Sequence, residues 1–227
     1  MPGADDWGVV LLTLRVAAVA TCVVVPPGIA AALLLARWRG PGKGLVETAL
    51  ALPLVLPPTA IGLLLLEALG RRSAVGAWLA ARGIELLFTW RAAVLATAVM
   101  AFPLFVRAAR TAFEEVDPRL VRLARTLGCG RVAAFRRVVL PLAWRGLLAG
   151  TVLAFSRALG EFGATIMAAG NIPGRTQTLA LAIFHAHQLG DDRRALRLVA
   201  LTVGLAFAAL WTAEWVVRRR SRREAAG

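Results

Sequence analysis

The chain has 227 residues, of which 59% are hydrophobic, and a formal net charge of +14 at pH 7. A soluble domain of this length is usually about half apolar, whereas here the excess lies in long runs that match the thickness of a bilayer. These properties exclude an ordinary soluble domain and predict an all-α, polytopic membrane protein with a single domain over 1–227.

The distribution of charge and cysteine removes two further classes of function. The arginines fall between the apolar runs and near the C terminus, and no aromatic–basic interleaving suited to stacking bases is present. We therefore expect no nucleic-acid partner. Cys22 and Cys129 lie in different settings, one in an apolar run and one in a basic loop, so we predict neither a disulfide nor a metal site.

Five apolar runs predict five membrane spans within a core of about 9–217. The first follows Asp5 and Asp6 rather than a basic stretch and is too long for a cleaved signal, so we interpret it as a retained span. Prolines inside the runs, including Pro57-Pro58 and Pro103, predict kinks. The predicted spans are about 9–36, 45–69, 87–106, 144–169 and 198–217.

The connecting segments predict the orientation. The segments 37–44, 107–145 and 218–227 carry 17 Lys and Arg residues, against 8 in 1–8, 70–91 and 170–197. The positive-inside rule places the first set in the cytosol, with the N terminus outside and the C terminus inside. The amphipathic stretch 72–90, with Trp78 and Trp90, predicts an interfacial helix on the outer face, or a periplasmic contact with a partner.

The cytosolic segment 114–143 contains a predicted short helix. Asp117 and Pro118 are typical of a helix start, and Gly128 is well placed to end the helix in a left-handed conformation. Between them, one apolar stripe is formed by Leu120, Leu123, Ala124 and Leu127. The stripe could lie on lipid, fold back on its own bundle, or fit a groove of a cytosolic partner.

A second amphipathic segment follows that helix. It carries Val132, Phe135 and Val139 on one side. We predict that Leu140-Pro141 ends it just before the fourth span, since proline disrupts the interior of a helix.

The cytosolic segment resembles the signature loop of ABC importer permeases, written EAA, three residues, Gly, nine residues, Ile-x-Leu-Pro. Ala124, Gly128, Val138, Leu140 and Pro141 occupy matching positions, while Arg122 replaces the glutamate and Leu123 the first alanine. The resemblance implies a coupling helix that docks into a separate ATPase subunit. The implied coupling residues are Leu120, Leu123, Ala124, Leu127, Gly128, Val138, Leu140 and Pro141.

A second block, 155–178, is similar to the molybdate permeases among the type I importers. The matching residues are Arg157, Gly160, Glu161, Phe162, Gly163, Ala164, Thr165 and the run 171–174. Sulfate permeases share a close version of the Gly160–Gly163 part. The resemblance implies the type I permease fold and uptake of molybdate, with sulfate, thiosulfate or tungstate as alternatives.

The same block supplies candidate pathway residues. Arg157 and Glu161 are four residues apart within the predicted fourth span, on one helix face, and ionisable residues at membrane depth normally face the bundle interior or a water-filled cavity. The pair either holds the helices in register or helps to shape an oxyanion path; the glycines and prolines either form a gate or serve helix packing alone. The candidates for pathway or gate are Pro57, Pro58, Thr59, Ser156, Arg157, Gly160, Glu161, Gly163 and Thr165.

The sequence offers no catalytic machinery of its own. Its single lysine, Lys43, is followed by Gly44, so no P-loop can form. His185 and His187, two residues apart, face different directions on a helix and cannot share a metal. We therefore expect no catalytic residue, no metal and no cofactor on this chain, and the resemblance places ATP on the partner ATPase.

The resemblance also implies the assembly. Two copies of the permease would form one pathway in the inner membrane, with a cytosolic ABC ATPase beneath it and a periplasmic or lipid-anchored oxyanion-binding protein above. A different class, an ATPase-independent channel or secondary transporter, would not need the Gly128-to-Pro141 spacing and would more often show inverted repeats. A non-transporting membrane scaffold is the remaining alternative.

Overall fold

The structure is a computed structural model that describes residues 4–224, and the regular secondary structure of these residues is helical. Residues 1–3 and 225–227, at the predicted outer and cytosolic ends, lie outside the described residues, as do the side chains of the five arginines between 218 and 223. The helices are α1 (Ala4–Arg37), α2 (Lys43–Val55), α3 (Pro58–Leu69), α4 (Ala74–Ala80), α5 (Trp90–Glu114), α6 (Pro118–Thr126), α7 (Arg131–Ala134), α8 (Leu140–Leu159), α9 (Gly163–Ala169), α10 (Leu179–Gln188) and α11 (Asp192–Glu224).

Helix α5 is the centre of the bundle. It packs along α1 on one side and α8 on the other, and its Ala93, Ala96, Ala101 and Phe105 are fully buried. Small side chains let helix backbones approach closely, which is the usual basis of helix association in a bilayer. Among residues 4–224, four helical segments are long and apolar enough to cross a membrane, and the number is five if the bent α2–α3 pair is counted as one span.

The second predicted span is broken rather than kinked. Helices α2 and α3 meet at an angle of 106°, with Leu56 in an extended conformation and Pro58 opening α3. The physical cause is the double proline, because each proline disfavours the helical conformation of the residue before it.

The fourth predicted span, 144–169, is wrong at both ends. Helix α8 stops at Leu159, residues 160–162 are not helical, and α9 begins at Gly163. Toward the N terminus the helix continues back through a π-helical turn, Phe135–Val139, to Arg131. Leu140-Pro141 therefore does not end the preceding segment, because the wide turn accommodates a proline that cannot donate a hydrogen bond.

Other parts of the chain also differ from the sequence prediction. Helix α5 runs past 106 to Glu114, and α11 starts before 198, at Asp192. The segment 170–197, predicted as a loop, contains α10, whose Leu179 and Leu181 are almost fully buried. Its hydrophobic residues contact other helices, a feature that the hydropathy of a ten-residue stretch does not reveal. The stretch 72–90 holds only the seven-residue α4.

The helix ends form two separated faces of the molecule. At one end, α1 and α5 terminate beside α6 and α7, which line a common cleft. At the other end, buried Asp6 of α1 accepts hydrogen bonds from Arg194 of α11 at 3.1 Å, and the Arg15 guanidinium lies 4.1 Å above the Trp90 ring. The bundle thus presents α6 on the face opposite Asp6.

Candidate functional site

The N terminus of α6 follows the sequence prediction. Pro118 is the first helical residue, and the Asp117 side chain accepts a hydrogen bond from the Arg119 N–H at 2.8 Å. Proline at this position loses no intrahelical hydrogen bond, because the first N–H groups of a helix have no partner within the helix. The predicted start is confirmed.

The C terminus of α6 is a Schellman motif. The Cys129 N–H donates to the Ala124 carbonyl at 3.0 Å and the Gly128 N–H to the Arg125 carbonyl at 3.1 Å. Gly128 adopts φ +86°, a left-handed conformation that glycine adopts without a Cβ clash. The predicted end is confirmed, and both ends of the helix are fixed by short-range interactions.

The apolar stripe of α6 faces away from the bundle. Leu120, Leu123 and Leu127 are 44%, 58% and 77% exposed, and Ala124 is half-buried. Val121, on the other side of the helix, packs against the core of the bundle. The interpretation that the stripe folds back on its own bundle is therefore wrong for these leucines.

The remaining predicted coupling residues lie outside α6. Val138 belongs to the π-helical turn, while Leu140 and Pro141 open α8. Leu140 packs against the core, and the nearby Phe135 ring lies 6.3 Å from that of Phe113 in α5. These residues join α7 to the bundle rather than extending the exposed stripe.

A four-residue ion-pair network lies beside α6, and the sequence analysis missed it. Arg110 approaches Glu47 at 2.7 Å and Glu114 at 2.8 Å, and Lys43 approaches Glu114 at 3.5 Å and Glu47 at 3.7 Å. The network ties the start of α2 to the last turn of α5. The i,i+4 spacings of Lys43–Glu47 and Arg110–Glu114 were the available sequence signal.

Arg157 and Glu161 do form a pair, although not on one helix face as predicted. The Arg157 guanidinium lies 2.7 Å from Glu161 Oε2, and Glu161 Oε1 accepts a hydrogen bond from the Ala164 N–H at 2.9 Å. Glu161 is 3% exposed and lies in the break after Leu159. Its carboxylate therefore joins the end of α8 to the start of α9.

The break brings two predicted blocks together. A Cβ added to Gly163 would lie 2.7 Å from Pro58 Cβ and 3.2 Å from the Thr59 nitrogen, and one added to Gly62 would lie 2.7 Å from the Ala164 carbonyl oxygen. Helices α3 and α9 consequently pack at backbone distance. The Pro57–Thr59 turn, with Pro57 and Thr59 exposed, adjoins the Gly160–Thr165 block.

The hydroxyl groups near this contact are unusual. Three hydroxyl oxygens are buried without a hydrogen-bond partner among the described residues, those of Ser156, Thr165 and Thr178. The sequence analysis named Ser156 and Thr165 as candidate pathway residues, but not Thr178. Buried hydroxyls in folded proteins are nearly always hydrogen-bonded. Gly160, by contrast, is exposed, and an added Cβ would meet no atom within 4 Å.

The run 171–178 folds into a closed turn. The Ile172 N–H donates to Thr176 Oγ1 at 3.0 Å, and the Gln177 side chain donates to Asn171 Oδ1 at 3.0 Å. The Leu179 N–H that follows donates to Thr13 Oγ1 of α1 at 2.8 Å. The last of these bonds attaches the turn to α1, and the first two satisfy the side chains of Thr176 and Gln177, which are buried.

Among residues 4–224, no group of three or more His, Cys, Asp or Glu side chains could hold a metal ion. His187, exposed on α10, approaches Asp192 at 3.0 Å, and Cys22 and Cys129 are unbonded thiols. The side chains described above pack the helices together, form an ion pair within the bundle, and leave an amphipathic helix with an exposed apolar stripe at one end.

Comparisons with known proteins agree with this geometry. A family model described as binding-protein-dependent transport system inner membrane component matches residues 28–222. The molybdenum transport system permease protein ModB of Escherichia coli K12 is 48% identical, covering 98% of this chain and 97% of that protein. The sulfate transport system permease protein CysT of Salmonella typhimurium is 34% identical, covering 98% and 84%. The inward-facing MetNI methionine ABC transporter superposes with a TM-score of 0.74 at 18% identity, covering 96% and 99%, which supports the fold.

Proposed function

Because this chain belongs to the family of inner membrane components of binding-protein-dependent transport systems, we propose that it forms the membrane pathway of an ATP-driven molybdate importer. The observation that supports molybdate as the substrate is the 48% identity to a molybdenum permease over almost the whole of both chains. A channel or secondary transporter is disfavoured, because the family match covers residues 28–222.

The exposed leucines of α6 support docking onto a separate ATPase subunit. A stripe with Leu127 at 77% exposure is costly in water and is stabilised when a partner groove covers it. The chain has no P-loop, so ATP binds the partner and this chain needs no cofactor of its own. ATP binding then biases the bundle between two states through α6.

The pathway itself lies between two copies of the chain in this proposal. The α3–α9 contact and the Arg157–Glu161 pair belong to its wall or gate. Glu161 offsets the charge of Arg157, so the pair orders the break in the helix more than it attracts an anion. Thr59 and Arg157 retain exposure and are the side chains best placed to meet the passing oxyanion.

The arrangement in the membrane follows the charge of the helix connections. The end that carries α6 and α7 is cytosolic, and the end that carries Asp6 and Arg194 faces the periplasm. A periplasmic or lipid-anchored oxyanion-binding protein delivers the substrate to that outer face.

The direct test is uptake of radiolabelled molybdate in a strain that lacks its own molybdate permease but retains the binding protein and ATPase. We expect this chain to restore uptake, and excess tungstate, a close chemical analogue, to compete more strongly than sulfate. Absence of restored uptake, with the chain present in the membrane and the ATPase bound, would count against molybdate.

Sulfate is the second candidate, because CysT is 34% identical over 98% of this chain. In a strain that lacks its sulfate permease but retains the sulfate-binding protein and its ATPase, restored sulfate uptake, with no restored molybdate uptake in the first strain, would identify the chain as a sulfate permease.

A further inference from the structure

A basic cleft opens beside α6, on the cytosolic side of the bundle in the proposed orientation. It has a volume of about 640 Å³ and lies between the last turns of α1 and α5 and the helices α6 and α7. Its lining combines apolar side chains from the core with arginines at the rim, namely Arg37, Arg39, Arg122, Arg125 and Arg131.

The charges of the five arginines are uncompensated within the described part of the chain. None of them lies within ion-pair distance of a carboxylate among residues 4–224. Glu114, which also lines the cleft, is engaged by Arg110 at 2.8 Å and Lys43 at 3.5 Å. Like charges around one cleft repel each other, so an anion bound there would be stabilised.

The cleft lies on the opposite side of α6 from the leucine stripe. At about 100° per residue, Val121, Arg122 and Arg125 face away from Leu120 and Leu127. Val121 and the two arginines line the cleft, whereas the leucines point outward. A partner that covers the leucines therefore leaves this side of the helix to another occupant.

The position of the cleft relative to the membrane indicates which kind of anion it binds. Its walls are the last turns of two membrane-spanning helices, which end at Arg37 and Glu114. Trp38 packs there against the core, and tryptophan is enriched at headgroup level in membrane proteins. Basic pockets between membrane helices on the cytosolic side are suited to anionic headgroups.

We propose that this cleft binds the phosphate headgroup of an anionic phospholipid of the inner leaflet. The arginines, which form bidentate hydrogen bonds to phosphate oxygens, hold the headgroup, while Phe113 and Phe135 close the apolar floor. The bound lipid links the ends of α1 and α5 to α6 and α7. The proposal does not depend on which oxyanion is transported.

The test titrates the purified full chain, in complex with its ATPase subunit, with phosphatidylglycerol or phosphatidylcholine and counts bound lipids by native mass spectrometry. Each arginine near an anionic lipid contributes roughly fivefold to binding. We expect Arg39→Gln/Arg131→Gln to bind phosphatidylglycerol about 25-fold more weakly, and Arg39→Lys/Arg131→Lys to retain most of the binding.

The matched control is Arg136→Gln/Arg137→Gln, which removes the same charge from exposed positions of the same segment outside the cleft. Unchanged lipid binding in this control supports the proposal, and an equal loss in both double variants overturns it. If inorganic phosphate displaced the bound phosphatidylglycerol as effectively as added phosphatidylglycerol does, the cleft would be a site for a free oxyanion rather than for a lipid. Lipid binding seen only without the ATPase would assign it to an acidic surface of that subunit. Molybdate uptake is not part of any readout, so these outcomes are independent of the proposed substrate.

Discussion

At the scale of single residues, Glu161 combines two structural roles. One carboxylate oxygen pairs with Arg157 at 2.7 Å, and the other accepts the Ala164 N–H at 2.9 Å. A glutamate that is 3% exposed within a membrane bundle is tolerated because one oxygen accepts a hydrogen bond and the other is ion-paired. The residue is thus required where the chain changes direction between α8 and α9.

We predict that Glu161→Gln lowers the free energy of unfolding by about 2 kcal/mol, because it leaves the Arg157 charge uncompensated. The amide oxygen can still accept the Ala164 N–H, so Glu161→Ala should cost more. The measurement is the thermal unfolding midpoint of the purified chain in detergent.

The control for this prediction is the double variant Arg157→Gln/Glu161→Gln. It removes both charges together and should be more stable than Glu161→Gln alone. Additive losses in the double variant would show that the ion pair does not stabilise the break.

At the scale of elements, local interactions set the two ends of α6, and packing against the bundle sets its orientation. Asp117, Pro118 and Gly128 determine where it begins and ends, through hydrogen bonds within a few residues. Packing of Val121 on the core decides which face points outward. A helix of nine residues is too short to be stable alone in water, so its anchoring to the bundle is what keeps it helical with its leucine stripe outward.

We predict that Leu127→Glu reduces co-purification of the ATPase subunit about tenfold or more. A buried leucine contributes roughly 1.5–3 kcal/mol relative to an exposed one, and a charge in the same groove is unfavourable. The amount of permease in the membrane should not change, because Leu127 is 77% exposed in the isolated chain.

Val132→Glu is the matched control, since Val132 is 71% exposed in the neighbouring α7 and lies outside the stripe. It should leave co-purification of the ATPase unchanged. If Leu127→Glu bound the ATPase subunit as well as the unmodified chain does, α6 would not be the docking element.

At the scale of the whole molecule, the two ends of the bundle carry different kinds of interaction. The end with α6 holds the Lys43–Glu114 network and the basic cleft, and the other end holds the Asp6–Arg194 pair. This asymmetry is what an importer requires if an ATPase acts on one face and a binding protein on the other.

The orientation is tested with single cysteines in a chain that carries Cys22→Ser and Cys129→Ser. Val132→Cys and Leu189→Cys are matched, because each native side chain is 71% exposed, one at each end of the bundle. A membrane-impermeant maleimide added to intact spheroplasts should label position 189 and leave 132 unlabelled. Inverted vesicles should give the opposite pattern. Labelling of position 132 in intact spheroplasts would show that the orientation is the reverse of the one proposed.

The amino-acid sequence by itself determined the class of the protein and the position of α6. In a bilayer, long apolar runs can satisfy their backbone hydrogen bonds only as helices. The cap residues Asp117 and Gly128 act over a single turn. The class of the protein and the bounds of α6 can therefore be predicted without tertiary information. The same holds for the family, whose motif lies in contiguous residues.

Only the tertiary structure decided where the membrane helices break and what those breaks join. The sequence prediction had a kink at Pro57-Pro58 and a continuous helix through Gly160, whereas the chain bends by 106° at the first and stops at Leu159 before the second. Proline and glycine favour a break in the helix but do not set its angle, because the packing of the two resulting helices against the rest of the bundle decides how far the chain turns. The contact of Gly163 with Pro58 forms between residues about a hundred positions apart, and this packing determines which face of each helix remains exposed.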